Sequence, residues 1–357
     1  MSFSIGIVGL PNAGKSTLFK ALTKKQVDIA AYPFTTLQPN HGIVAVPDGR
    51  LEALAKITQP EKITPTAIEF VDIAGLVKGA HKGEGLGNQF LANIRNCDAI
   101  VEVVRVFDNE KVEHVEGAID PERDAEIIKT EILMKDLETL ENSLSKLEKE
   151  KNIKPSQVSS KFGEGKDRKS LKQKAILAKI KDAVSHGKLI SDLKLNDDEQ
   201  TEIKEFQFLT AKPIIYLFNS NSAEGCLTSE VQHLTMNLKL EEEASELSEK
   251  ETKDLGLVSY LDQLILNCYN ALDLITFFTI AGGKETRAWT IKRNTSAILA
   301  GGKVHSDFEE KFIRAEVITC QKLTEAGSWL KARELGWIKT VGKEYIVEEG
   351  DVIEFKI

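Results

Sequence analysis

The chain has 357 residues, which at about 150 residues per domain predicts two to three domains. Hydrophobic residues make up 41% and charged residues 29%, with a net charge of −8, so neither a disordered chain nor a polycation that coats nucleic acid is expected, and DNA is not an expected partner. No apolar run reaches the roughly 18 residues that a membrane span needs, so no membrane partner is expected.

The first residues, Met1 to Val8, carry no basic region and no cleavage site and read as a strand rather than a signal peptide. The four cysteines, Cys97, Cys226, Cys268 and Cys320, are scattered, which fits reduced thiols in the cytoplasm and argues against a disulfide framework or a zinc ribbon. Residues 1–120 alternate strand and helix signals. Phe3 to Val8, Ile43 to Val46, Ala67 to Val71 and Ala99 to Val106 are short runs rich in Val and Ile, the pattern of strands buried on both faces of a parallel sheet. Ser16 to Thr23 reads as a helix, and Asp48 is placed to cap another over Leu51 to Ile57. Pro213 to Phe218 repeats the buried-strand pattern, so residues 1–120 and 211–275 are expected to form one α/β domain.

Residues 121–210 interrupt it. Leu133, Leu137, Leu140, Leu144 and Leu147 step by four and three, the seam of two packed helices. Helical spacing resumes at Leu177, Ile180 and Val184, which predicts an inserted antiparallel helical arm; a plain helical core segment would show the same spacing. Residues 146–181 hold twelve basic and four acidic side chains, a net of +8 on an otherwise acidic chain. That suits docking to a polyanion such as ribosomal RNA, and equally a solvated hairpin; with Phe162 as its one aromatic, the segment does not support base stacking. From Thr276 to Ile357 short runs alternate with Gly-rich turns, as in a small β-rich module.

Gly9-Leu10-Pro11-Asn12-Ala13-Gly14-Lys15-Ser16 fits the phosphate-loop pattern G-x-x-x-x-G-K-[ST] between a strand and a helix. Backbone N–H groups of the loop would cradle phosphate at the positive end of the helix, Lys15 would reach the β- and γ-phosphates, and the Ser16 hydroxyl would bind Mg²⁺. Asp72-Ile73-Ala74-Gly75 closes a strand, so Asp72 is expected near the metal and the Gly75 N–H near the γ-phosphate. Between them, Tyr32 to Thr36 is where a switch-loop threonine is expected. Leu76 follows Gly75 and cannot orient water as a glutamine would, so another group must; His81 and His114, both in candidate loops, are open for that role.

These residues resemble the YchF / Obg-like ATPase family: Gly9 to Thr17, Asp72 to Ala80, Gly83 to Leu91, Arg287 to Thr290 and His305 to Ala315 all carry the likeness, over nearly the whole chain. The resemblance implies a P-loop NTPase domain with a parallel-rich sheet (1–120 and 211–275), an inserted coiled-coil arm (121–210) and a C-terminal ubiquitin-like α+β TGS domain (276–357). It further implies Mg²⁺-dependent binding and hydrolysis of ATP in preference to GTP, and association with the ribosome, its large subunit, through the arm or the TGS domain. By the same resemblance Asn12 binds an activating K⁺, Asn12, Ala13, Gly14, Lys15, Ser16 and Thr17 hold the phosphates, Thr36 joins Ser16 and Asp72 on Mg²⁺, and His114, in His114-Val115-Glu116-Gly117, assists hydrolysis. Base selection in the family uses an N-x-x-E segment and an S-A-K-L-E segment. Here they read Asn219-Ser220-Asn221-Ser222, without the acid, and Asn237-Leu238-Lys239-Leu240-Glu241, so Asn219 and Leu238 are the base-side candidates. Loss of the acid argues against tight guanine selection. Thr35 stands where some members carry a redox-linked cysteine. A nucleotide-gated ribosome adaptor and a true GTPase remain as rival readings.

Overall fold

The structure, a computed structural model, describes residues 3–25, 40–73, 86–109, 111–151, 163–221 and 233–357. In chain order the elements are β1 (Ser4–Val8), α1 (Lys15–Thr23), β2 (His41–Ala45), α2 (Gly49–Thr58), β3 (Lys62–Thr64), β4 (Ala67–Asp72), α3 (Leu86–Asn96), β5 (Ala99–Arg105), α4 (Pro121–Lys151) and α5 (Gly163–Ser185). There follow α6 (Asp197–Ile203), β6 (Ile214–Asn219), β7 (His233–Met236), α7 (Leu238–Ala244), α8 (Glu249–Asp254), α9 (Leu261–Ala271), β8 (Leu274–Ala281) and β9 (Glu285–Lys292). The chain ends with α10 (Ala297–Val304), α11 (Ser306–Glu310), β10 (Arg314–Thr319), α12 (Cys320–Ala326), α13 (Trp329–Glu334), β11 (Lys339–Val341) and β12 (Asp351–Lys356). Residue contacts divide them into two compact units.

One unit comprises residues 4–19 and 71–240. Its strands β1, β5, β6 and β7 pair in parallel, with Ile5 opposite Ala99, Ile100 opposite Ile214 and Tyr216 opposite His233. The Ile73 N–H, just past the end of β4, donates to Ile7 O. Every residue of β5 is buried, which suits its Val and Ile content but also encloses Glu102 and Arg105. Val8, Val71, Ile73, Ile94, Ile100, Ile128 and Ile132 form the core beside this sheet.

The helical arm belongs to the same unit. Asp120 accepts from the Arg123 N–H at 3.1 Å and Pro121 takes the first helical position of α4, where its missing N–H costs nothing. Leu133 and Leu140 pack against Ile176, Leu177, Ile180 and Val184 of α5, so the leucine seam is the contact face. Lys174 meets Glu148 at 2.7 Å and Lys181 meets Glu141 at 3.0 Å; the register runs in opposite senses, as antiparallel helices require. Asp136, fully buried, accepts from the Leu209 N–H, the Thr210 N–H and the Thr210 hydroxyl at 2.7–2.9 Å, fastening the arm's root to the chain that enters β6.

The second unit comprises residues 1–3, 20–70 and 241–357. Its sheet has the order β11-β10-β12-β8-β9-β3. β8 and β9 form an antiparallel hairpin whose turn places Gly282 and Gly283 at φ of 50° and 84°, where a side chain would be strained. β12 runs parallel to β8, and β10 antiparallel to β12. One face buries Leu51 and Leu54 of α2, capped by Asp48 as expected, against Phe278, Ile318, Leu323 and Val352. The other buries Phe277, Ile291, Ala300, Val317 and Phe355. The module is more mixed than the β-rich pattern suggested, since α10 to α13 lie within it. Tyr345 to Val347 makes an isolated bridge, Ile346 to Ser296, and the Tyr345 N–H donates back to Gly342 O. β3, unmarked in the sequence, completes the sheet beside β9.

Candidate functional site

The glycine loop leaves β1 at Gly9 and enters α1 at Lys15. Gly9 has φ of 153°, and a Cβ there would sit 2.5 Å from Val103 O; Gly14 has φ of 110°, and a Cβ there would collide with the Asn219 Nδ2. Both glycines are therefore required by close approach as well as by conformation. Asn12 takes the left-handed region at φ of 63°, which asparagine tolerates, and its Nδ2 donates to Glu113 O at 3.1 Å. The Ala13 carbonyl accepts from Asn219 Nδ2 at 2.9 Å, and the Thr17 side chain is half-buried on α1.

Lys15 was expected to face a phosphate. Here it is only 8% exposed and its Nζ donates to Leu10 O at 2.9 Å. Burial pushes its pKa down, opposed by the negative charge of Asp72. A phosphate that reached the loop would have to take this ammonium from Leu10. Ser16 is exposed, and its hydroxyl donates to Asp72 Oδ2 at 3.1 Å. Burial raises the Asp72 pKa, while the Ser16 hydrogen bond and the Lys15 charge act the other way. A hydroxyl and a carboxylate converging beside a helix N-terminus are the hard oxygen donors a Mg²⁺ takes, so these residues fit that ion. Among the described residues no cluster of three or more His, Cys, Asp or Glu is placed to hold a metal ion.

Asn219, at the end of β6, bridges two segments. Its Nδ2 holds Ala13 O and its Oδ1 accepts from the Leu238 N–H at 3.2 Å. Leu238 is wholly buried, so its side chain supports the loop at Gly14 rather than offering an exposed face to a base. Asn237 accepts from the Lys239 and Leu240 N–H groups at 3.1 Å and so caps α7.

His114 is docked. Its Nε2 lies 2.8 Å from Asp124 Oδ2, and its Nδ1 accepts from the Glu116 N–H at 3.1 Å, which places the ring proton on Nε2. Both nitrogens are engaged and the side chain is 6% exposed. Two residues the sequence reading passed over hold it there. Asp124 also binds Arg123 at 2.7 Å. Arg105, 3% exposed at the end of β5, donates to Phe107 O, Val112 O, Glu113 O and Asn109 O at 2.9–3.5 Å and stacks on the Phe107 ring at 4.5 Å. Its signal in the sequence is an arginine closing a strand that is apolar but for Glu102. Thr36, Gly75, Leu76, His81, Thr35 and Ser222 lie outside the described residues.

Two protein-family models match the chain. One, described as a 50S ribosome-binding GTPase, covers residues 4–142. The other, YchF-GTPase_C, described as a protein of unknown function, covers residues 274–357. The chain is similar to the ribosome-binding ATPase YchF of Bacillus subtilis (strain 168), 41% identical over 376 residues spanning 100% of this chain and 99% of the relative. It is likewise similar to the protein of that name from Escherichia coli O157:H7, 40% identical over 372 residues, 99% of each chain. Among solved structures, the Schizosaccharomyces pombe YchF GTPase superposes with a TM-score of 0.84 at 36% identity, covering 99% of this chain and 98% of that one.

Proposed function

The chain belongs to the YchF family, and from that premise we propose that it binds and hydrolyses ATP with Mg²⁺ at the Gly9–Ser16 loop and works in the cytoplasm as a ribosome-associated switch. The observation that carries this reading is the convergence of Lys15, Ser16, Asp72 and Asn219 around one loop, with the Ser16 hydroxyl 3.1 Å from Asp72. Ser16, Asp72 and Thr36 would hold Mg²⁺, which would neutralise charge on the triphosphate. Lys15 leaves Leu10 O for the phosphate and stabilises the charge that develops there. Asn12, whose Nδ2 is engaged by Glu113 O, would offer its remaining oxygen to K⁺. Leu76 cannot orient water, so His114 does, and it must first leave Asp124, because neither ring nitrogen is free in the docked state.

The absence of an acid at Ser222 supports adenine over guanine, since no carboxylate there accepts from the guanine N1–H and 2-amino group. The basic segment 146–181 supports the arm as the electrostatic contact with the large ribosomal subunit, although Lys172, Lys174, Lys179 and Lys181 are each paired with an acid in the arm unit. The TGS module would add specific contacts. Titration of the full chain with ATP and with GTP, each with Mg²⁺, tests the site: tighter ATP is expected, and no saturable binding of either would overturn the reading. Ribosome pelleting across a salt series tests the partner, with binding expected to fall steeply as salt rises.

A further inference from the structure

Glu102 sits in the middle of β5, 1% exposed, and neither carboxylate oxygen has a hydrogen-bond partner among the described residues. It borders a cavity of about 10 Å³, the space of one water. Its other walls include Leu10, Pro11 and Ala13 of the glycine loop, Arg105 of the same strand, His114, and Asp124 of α4. The glycine loop thus turns only apolar side chains to it. α4 adds the negative charges of Asp124 and Glu126, and β6 adds the Tyr216 phenol. On its own strand Arg105 gives it no hydrogen bond, since that guanidinium's donors go to four backbone carbonyls. Enclosure beside two other acids with no donor favours the neutral form of this carboxyl group: desolvation first, then Glu126 and Asp124, push its pKa well above the ordinary carboxylate range.

His114 is one wall of that enclosure. On the hydrolytic reading above, its ring must leave Asp124 to reach the γ-phosphate, and the Asn12 contact to Glu113 ties this loop to the phosphate loop. When the wall departs, water reaches Glu102 and the desolvation that is the largest cause of its held proton is relieved, while Glu126 and Asp124 stay on α4. We propose that Glu102 is a proton-switched positioning residue for the His114 loop: a neutral carboxylic acid while the loop is docked, and a carboxylate, its proton released to bulk water, once the loop has moved. No bond other than O–H breaks, and the proton goes to solvent. Because the open state binds fewer protons, raising the pH favours it. Loop movement and proton release are then one event.

The test is calorimetric titration of the full chain with Mg²⁺ and a non-hydrolysable ATP analogue, at neutral pH, in two buffers of different ionisation enthalpy. Wild type should release about one proton per chain more than Glu102→Gln. Glu102→Leu, a second permanently neutral variant, should match Glu102→Gln and keeps the test open if one variant does not fold. Equal proton counts in wild type and a folded variant would overturn the proposal. His114→Ala separates this from the reading it rests on. Wild-type hydrolysis in His114→Ala, with the proton difference between wild type and Glu102→Gln retained, would remove the catalytic role of His114 and leave the proton switch standing.

Discussion

Replacing Arg105 with Ala should free the loop that carries His114. The guanidinium makes two close hydrogen bonds, to Val112 O at 2.9 Å and Phe107 O at 3.1 Å, and two longer ones to Glu113 O and Asn109 O. Charge-assisted bonds of the first kind contribute about 1.5–3 kcal/mol each, and the stacking on Phe107 about 0.5–1 kcal/mol. The freed carbonyls lie on a largely exposed loop and regain water, so the net loss for the docked loop is about 2–4 kcal/mol, a roughly 30- to 10³-fold shift toward the undocked state. Hydrogen exchange reads this directly, because the Val112 and Gly117 N–H groups bond to Asn109 O and His114 O within the loop. Their exchange should accelerate far more than that of β5, which separates loop release from general destabilisation. Arg105→Lys keeps the charge but loses the fork, and should resemble Ala more than wild type. Unchanged exchange at both amides in a folded Arg105→Ala chain would refute the clamp.

Lys15→Ala should lower ATP turnover by about 10²-fold or more by removing charge stabilisation at the phosphates, while the loss of its charge-assisted bond to Leu10 O, about 1.5–3 kcal/mol, is offset in urea unfolding by relief of the buried ammonium. Asn219→Ala breaks the link between Ala13 O and the Leu238 N–H, both at a buried position, and should cost about 1–3 kcal/mol in urea unfolding together with weaker ATP binding. Glu102 gives a stability signature with a definite sign. Its folded-state pKa lies above its unfolded one, so between the two the native chain holds a proton that the unfolded chain lacks, and its contribution falls as pH rises. That slope is at most about 1.4 kcal/mol per pH unit and should be absent in Glu102→Gln when the two are unfolded in urea at a series of pH values.

The parts of the fold that were legible in the sequence are those with a strong local period. The apolar runs of β1, β4, β5 and β6 appear where the pattern put them, as do the cap at Asp48 and the leucine seam of α4. β3 was not legible: Lys62-Ile63-Thr64 is three residues long and its place is set by pairing with β9, more than two hundred residues away. The glycine loop was legible because its pattern encodes close approach, and Gly9 and Gly14 leave no room for a Cβ. Its partners were less so. Arg105 and Glu102 lie in a strand that reads as apolar, and their importance comes from what the fold places beside them: four carbonyls for one and no donor for the other. Asp124 reads as an ordinary first-turn acid of α4, and only the tertiary contact with His114 gives it a further role. Likewise the resting places of Lys15 on Leu10 O and of His114 on Asp124 depend on loop geometry that no spacing specifies.

Single-turnover hydrolysis of ATP with Mg²⁺, by wild type and by His114→Ala, tests the central claim most directly. The account predicts a rate lower by about 10²-fold in the variant with nucleotide affinity nearly unchanged, because the imidazole's contacts with the attacking water form only after it has left Asp124. A wild-type rate in a folded His114→Ala chain would contradict it.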